Sequence, residues 1–383
     1  MVIAFNFLPY SYLGHGGAEV YLTNLANTFA EIYSKEKIIF FVNDQFSGKY
    51  ILPKNISNVI LKPFLGRSRG SRIILEQTLL PLECKRLNVS WLISNYTSPM
   101  LGDFKKITII HDLLVKRFPS LLERNKQWFW NVMFPISIRR SNLIGTVSNF
   151  SASEIEFFYP FAKRKLFVTA EGIRPSLLNN MSKPLDIKFN LSKSKYILCV
   201  ATFAPHKNLL ALVKGFEAVI KTLPEMKLVF IGKAKTSDAL AYQEKIIDLV
   251  KKKGLSDRIV FLGHVDDIDF SALYSNAKAT ILPSLYEGFG LPIIESQFFG
   301  TPVLCSQRAS MPEIAGDAAI TFNPDNPSDI GAKIIEISLS ESLRKKLSEK
   351  CADNIKRFTW ENAANDLMSA IKTGNCQRSC RFF

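Results

Sequence analysis

The residues of this chain best arranged for chemistry lie in Leu285–Gly300, LYEGFGLPIIESQFFG. Gly288 and Gly290 allow a tight turn in which backbone N–H groups approach a ligand closely. Pro292 follows at once and suits the first turn of a helix whose N-terminus would face the same ligand. Glu287 falls in the loop, and Glu295 comes about two helical turns later. Free amides at a helix N-terminus favour phosphate or sugar oxygens, and a carboxylate accepts paired hydrogen bonds from neighbouring hydroxyls. The plainer alternative is a glycine-bearing strand-to-helix turn with solvated acids.

Such a loop needs rigid elements behind it. Short apolar, β-branched runs at Val2–Leu8, Lys37–Val42, Val89–Ile93 and Ile107–His111 scarcely alternate, so they read as strands buried on both faces. Between the first two, Gly17–Tyr33 places Ala18, Tyr21, Leu22, Leu25, Phe29 and Ile32 at the spacing of an amphipathic helix. Strand–helix–strand repetition implies right-handed crossovers and a parallel sheet. Arg174–Lys195, rich in Pro, Ser, Asn and Lys, interrupts the pattern and reads as an interdomain connection. The alternation then resumes, with strands at Tyr196–Ala201, Lys227–Ile231, Arg258–Leu262, Ala279–Leu282 and Pro302–Cys305. Leu209–Leu223 and Ser237–Lys253 read as helices between them. The expectation is an α/β protein of two Rossmann-like domains. They span 1–173 and 196–358, with a further helix at 359–373 and a tail at 374–383. Open parallel sheets bind ligands beyond the carboxyl ends of their strands, so two facing sheets would enclose one cleft.

Bulk properties agree. A chain of 383 residues exceeds one ordinary core, and its 47% hydrophobic and 22% charged residues are a globular composition. Six cysteines lack the paired spacing of a zinc site: Cys199 and Cys305 sit in apolar runs, and only Cys376 and Cys380 are close together. A reducing cytoplasm fits such cysteines. Met1–Leu8 lacks the features of a signal peptide, and no apolar run approaches the roughly 20 residues of a bilayer span. The protein is expected to be cytoplasmic, or peripheral on the inner leaflet of the plasma membrane. Lys plus Arg number 49 against 34 Asp plus Glu, for +15. That favours an anionic partner, or simply a basic surface.

The Leu285–Gly300 segment resembles the glutamate-x7-glutamate signature of retaining glycosyltransferases of family 4, which have the GT-B architecture of two Rossmann-like domains. Gly16-Gly17-Ala18-Glu19 is similar to that family's glycine loop, and Ile110-His111-Asp112 to its histidine–aspartate element. Thr146–Ser151 resembles its T-V-S-x-F-S stretch, and Thr202–Leu209 its T-x-x-P-R-K-N-L; Phe261-Leu262-Gly263 and Gly300–Val303 complete the order. The matches run from about residue 14 to about residue 303.

The resemblance implies that the helix at 359–373 returns to the first domain, and it implies roles. Gly16 and Gly17 would let the first loop approach the donor diphosphate, which Lys207 would neutralise as the leaving group departs. Glu295 would hold the ribose hydroxyls, with Gly263 near the base. Glu287, with the backbone of Gly288, Phe289, Gly290 and Leu291, would hold the transferred sugar, and His111 would lie near its anomeric centre. His206 departs from the family's usual arginine. A histidine is only partly charged near neutral pH and lacks the bidentate fork, so the diphosphate contacts should weaken unless another arginine compensates. Ala201 and Ala204 also replace the more usual glycine and glutamate. His264 reads as structural or solvated. Asp267-Ile268-Asp269 matches the D-x-D metal motif of a different transferase fold, but it precedes the helix Phe270–Asn276, so capping and dipole compensation are expected instead. No metal and no resident cofactor is expected.

The implied activity is metal-independent hexosyl transfer from a nucleotide-diphosphate sugar, GDP-mannose favoured and dTDP-rhamnose second. The same-face route has the leaving phosphate helping to deprotonate the acceptor, with no carboxylate nucleophile. A lipid-linked oligosaccharide is the expected acceptor. The basic Arg67–Arg72 loop and Lys126–Arg140, with Trp128, Phe129, Trp130, Met133 and Phe134, suit an anionic membrane surface; a helix packing those aromatics into the core is the alternative. The rivals are an epimerase or phosphorylase of the same fold and a basic nucleic-acid-binding protein. No nucleic-acid motif supports the last, and no G-x-G-x-x-G follows the first strand as a nicotinamide enzyme would require. The sequence leaves the oligomeric state open.

Overall fold

The computed structural model describes residues 1–10, 17–43, 56–61, 69–121, 123–178, 191, 195–234 and 236–374. Met1–Gly172 and the segment beginning at Thr359 form one compact unit, and Ile173–Phe358 a second.

The first unit holds a seven-stranded sheet of β1 (Val2–Asn6), β2 (Lys37–Val42), β3 (Ile56–Ile60), β4 (Trp91–Asn95), β5 (Lys105–Ile109), β6 (Leu143–Thr146) and β7 (Leu166–Val168). The spatial order is β3-β2-β1-β4-β5-β6-β7 and every pairing is parallel. The second unit holds β8 (Tyr196–Val200), β9 (Lys227–Ile231), β10 (Ile259–Gly263), β11 (Ala279–Leu282), β12 (Val303–Ser306) and β13 (Ala319–Phe322) in the parallel order β10-β9-β8-β11-β12-β13. The fold is α/β of the GT-B class, with two Rossmann-like parallel sheets.

Continuous apolar strands lie inside because helices cover both sheet faces. The helix Gly17–Ile32 buries Tyr21, Leu22, Leu25 and Phe29 of its predicted stripe, with Ala26 beside them, while Ala18 is half-buried and Ile32 exposed. Phe29 meets Phe5 of β1 edge-on at 6.0 Å, and Phe5 meets Phe40 of β2 at 5.9 Å; such pairs add about 1 kcal/mol beyond area burial. In the second unit the helix Leu209–Thr222 seals Leu212, Val213, Phe216 and Val219 against the sheet.

Several elements differ from the sequence pattern. β3 (ISNVI) is an edge strand whose Ser57, Asn58 and Ile60 are exposed, so no apolar run marks it. Strand ends move by a residue or two, as at β4, which begins at Trp91 rather than Val89. The helix expected at Phe270 starts at Asp267, so Asp267 and Asp269 lie within its first turn and the N-cap is Asp266, with no side-chain capping bond. Dipole compensation therefore survives and capping by this pair does not. Cys84, Cys199, Cys305 and Cys351 are buried free thiols, whereas Cys376 and Cys380 lie outside the described residues. No described helix is long and apolar enough to cross a membrane.

In both sheets the strand order reverses once, between β1 and β4 and between β8 and β11. Loops beyond the carboxyl ends of those strands are the ligand positions of such sheets.

Candidate functional site

Two corners carry the motif residues, one in each unit. In the second unit they gather on the loops after β8 and β11. Beyond β8 the chain turns through a 3-10 segment, Pro205–Lys207, and Asn208 takes a left-handed φ of 57°. Asparagine tolerates that conformation; its Nδ2 donates to Pro324 O at 2.7 Å, which fixes the turn. The amide of Leu285, after β11, donates to His206 O at 2.7 Å and ties the two loops together.

Lys207 and Glu287 are thereby brought into contact. Lys207 Nζ donates to Glu287 Oε1 at 2.6 Å, and Ser284 Oγ donates to the same oxygen at 2.6 Å. Burial works to raise the Glu287 pKa, but the ammonium, the two hydrogen bonds and the nearby His206 outweigh it and hold the carboxyl below its ordinary value. The cation and anion assigned to diphosphate and sugar thus neutralise each other. His206 is different from its expectation. Burial, aided by Lys207 and opposed by Glu287, lowers its pKa from 6.5 to about 4, so it is neutral rather than partly charged, and its Nδ1 is buried without a hydrogen-bond partner.

The turn Gly288–Leu291 enters the helix Leu291–Phe298 through Gly290, whose φ of 103° suits glycine. Gly290 brings no capping side chain, and Pro292 sits in the first turn. Ser310 Oγ bonds Glu287 O at 2.9 Å and Phe289 O at 2.8 Å, pinning the loop from behind. The Phe289 side chain packs edge-on to Phe358 at 5.5 Å; it belongs to the core and leaves only its backbone for a ligand. Gly263 closes β10 and accepts from Gly232 N at 2.9 Å, and His264 beside it is exposed, as the solvated reading has it.

Glu295 is 2% exposed. Its Oε1 accepts from Arg174 Nε at 2.6 Å and its Oε2 from Tyr274 OH at 2.9 Å. Arg174 lies 4.7 Å from the Phe270 ring centre and 3.6 Å from Asp267. Its own burial disfavours the guanidinium charge, but Glu295, with Tyr274 and Asp267, raises its pKa overall. Asp267 of the D-x-D pattern is therefore engaged with an arginine, and no cluster of three or more His, Cys, Asp or Glu suited to a metal occurs among the described residues.

In the first unit, His111 follows β5. Its Nδ1 lies 3.6 Å from Glu171 Oε1, beyond β7, and both side chains are buried. The imidazole is boxed by Tyr21, edge-on at 4.8 Å, and Tyr96 at 5.5 Å, and its Nε2 is buried without a hydrogen-bond partner. Ser151 of the T-V-S-x-F-S stretch donates through Oγ to His111 O at 2.9 Å, and Thr146 Oγ1 donates to Ile110 O at 2.6 Å, so that motif serves to hold the histidine's backbone. Gly17 is the first residue of its helix, and Gly16 lies outside the described residues.

Sequence reasoning missed Glu171, Arg174, Tyr274, Ser284 and Ser310. The one usable signal was Gly172 after Glu171: a Cβ there would meet Trp360 N at 2.7 Å, so glycine is what lets the C-terminal helix close on this loop. An open hollow of about 530 Å³, lined by Leu82, Leu101 and Phe104 among others, lies at the amino ends of β4 and β5 and includes no motif residue.

Comparison with known proteins identifies the family. The family described as Glycosyl transferases group 1 matches residues 183–354. The O-antigen chain mannosyltransferase B of Escherichia coli is 30% identical over 274 residues, covering 70% of this chain and 70% of that one. The serotype-specific mannosyltransferase WbdA of Escherichia coli is 26% identical over 71% of this chain, which spans only 34% of that longer protein. Among solved structures, HepE of Anabaena in complex with UDP and glucose superposes with a TM-score of 0.76 at 15% identity, over 97% of this chain and 100% of the other. With a relative of 30% identity matched over most of its length, and both sheets in GT-B order, the chain belongs to the glycosyl transferases group 1 family and is a glycosyltransferase.

Proposed function

We propose that this enzyme is a retaining mannosyltransferase that takes mannose from GDP-mannose, without a metal, and adds it to a lipid-linked polysaccharide at the cytoplasmic leaflet. The observation that carries the donor reading is the Lys207–Glu287 pair at the β8/β11 reversal. The names of the relatives, mannosyltransferases of O-antigen assembly and of serotype, support the sugar and the polysaccharide acceptor.

Binding then works by exchange. The diphosphate draws the Lys207 ammonium from Glu287, and Glu287 turns its freed oxygen to hydroxyls of the transferred sugar. Glu295 keeps its bonds to Arg174 and Tyr274 and offers its remaining lone pairs to the ribose. Of four accepting positions on a carboxylate, roughly two remain. In the transfer step the anomeric C–O bond to phosphate breaks as the acceptor C–O bond forms on the same face, and the acceptor proton passes to the departing phosphate oxygen. Lys207 stabilises the charge gathering there, because its position is set before the bond breaks. No protein carboxylate is asked to attack the anomeric carbon.

A thermal-shift panel of GDP, UDP, dTDP and ADP with their sugars tests the donor. GDP and GDP-mannose should stabilise the enzyme, and Lys207→Ala and Glu295→Ala variants that remain folded should lose the response. No shift from any nucleotide at millimolar concentration would sink the reading. The product from an α-linked donor should be α-linked by NMR, and turnover should continue in chelator; a β-linked product would overturn retention.

A further inference from the structure

We propose that the face built by Trp128, Phe157 and Phe161 with Arg139 and Arg164 is where the first unit docks on a bilayer bearing anionic lipid. The proposal rests on the lipid-linked reading of the acceptor for its purpose and on the surface itself for its physics.

The helix Arg124–Arg140 divides its aromatic segment between two environments. Met133, Phe134 and Ile138 are buried, so the core-packing alternative holds for them, while Trp128 is 68% exposed. Nearby, Phe157 of the helix Asn149–Phe158 is 67% exposed, and Phe161 in the following turn is 42% exposed. Trp128, Phe161 and Arg139 are linked through intervening contacts, the Phe157 ring centre lies 5.1 Å from Arg117, the chain neighbour of Lys116, and Arg164 shares the turn that carries Phe161. Lys116 Nζ donates to Asn131 Oδ1 at 2.6 Å, one turn from Trp128, and lies 5.6 Å from the Tyr159 ring centre. Tyr159 is 5.9 Å from Phe161, and the Arg139 guanidinium sits 4.4 Å from the Phe161 ring centre.

Charge points to the occupant. Leu114–Lys165 carries nine Lys and Arg against three Glu, a net +6. Its three acids are each taken up by a cation of the same stretch: Glu123 by Lys126, Glu154 by Arg117 and Glu156 by Lys163. Arg139, Arg140 and Arg164 remain exposed around the aromatics. Large aromatic rings interleaved with cations cost a water-facing surface solubility, but at a headgroup layer the rings enter the acyl boundary while the cations meet lipid phosphates. Arg139 closes the helix that leads into β6, and Phe161 and Arg164 lie in the turn that leads into β7, so most of this face sits toward the amino ends of those strands, while Trp128, near the start of its helix, extends it back toward the His111 end.

The test is sedimentation of the intact protein with vesicles of phosphatidylcholine alone or mixed with phosphatidylglycerol. Binding is expected to the mixed vesicles at low salt and to fade at high salt. The Arg139→Glu/Arg164→Glu pair should weaken it at least tenfold, and Trp128→Ser/Phe157→Ser/Phe161→Ser should abolish the part that survives salt. All five side chains are exposed, so these variants fold. The charge-matched Lys251→Glu/Lys252→Glu control, on exposed positions of the second unit, should bind like the parent. Equal loss in that control, no binding to mixed vesicles at low salt, or binding to single-stranded RNA alone would each overturn the proposal. The GDP thermal shift, measured on the same variants, should stay unchanged, so a failure here is distinguishable from a failure of the donor assignment.

Discussion

The His111 corner of the first unit and the Lys207 corner of the second lie at the same edge of two similar parallel sheets and are made of opposite materials. Around Lys207 and Glu295 the groups are ionic and already paired: lysine with glutamate, arginine with glutamate and aspartate. Around His111 there is one carboxylate at 3.6 Å and otherwise aromatic rings. A corner that stores compensated charges can admit a dianion by trading partners, without burying a new unpaired ion. A corner walled by rings excludes water and presents a single imidazole. On the proposed function the first would serve binding and the second chemistry.

The strongest way to break it is Lys207→Ala. Transfer should fall by about 10³-fold, and the stranded Glu287 should cost on the order of 3 kcal/mol in a denaturant titration. Lys207→Met with Glu287→Gln should recover that stability while transfer stays lost. If the double variant transfers sugar, the pair is structural only. His111→Ala comes next: kcat should drop about 100-fold with the GDP thermal shift unchanged. Glu171→Gln should lower kcat about tenfold, because it alters only the orientation and basicity of the ring. Weakened GDP binding in either would erase the distinction between the corners.

A smaller effect comes from pH. Folding lowers the His206 pKa from 6.5 to about 4, so the unfolded chain holds a proton that the folded one refuses. Stability from this group is full above the unfolded pKa and is lost as pH falls towards the folded one, by up to about 3 kcal/mol. His206→Asn should flatten that part of the acid profile. The smallest change is expected from Asp267→Asn, because Asp267 is itself 45% exposed and 3.6 Å from Arg174: less than about 1 kcal/mol in stability.

Much of the second unit was legible in sequence because its motif is local. Gly288, Gly290, Pro292 and Glu295 fall within one turn and one helix, and their order alone predicts the geometry. The partners of those residues were not legible. Arg174 sits in a polar stretch that reads as a linker, and Tyr274 and Ser310 read as helix and loop residues until the fold carries them to Glu295 and Glu287. Glu171 escaped for the same reason: the 59 residues between it and His111 are spanned by pairing of β5, β6 and β7. β3 was lost because an edge strand needs no apolar run. His206 was legible as a residue but not as a charge state, since burial sets its protonation.

The helix Trp360–Thr373 packs on the first unit: Trp360 meets Tyr21 at 5.8 Å, Ala363 O accepts from Thr169 Oγ1, and Tyr33 OH bonds Asn365. This has a consequence for biosynthesis. A ribosome releases the second unit's strands and helices before it releases the helix that completes the first. The nascent first unit therefore waits, with Tyr21 and the Gly172 loop uncovered, while roughly 190 intervening residues emerge over some ten to forty seconds. The segment that finishes His111's surroundings is among the last to be made, so a chain halted short of it can own a whole donor unit and still lack an enclosed histidine.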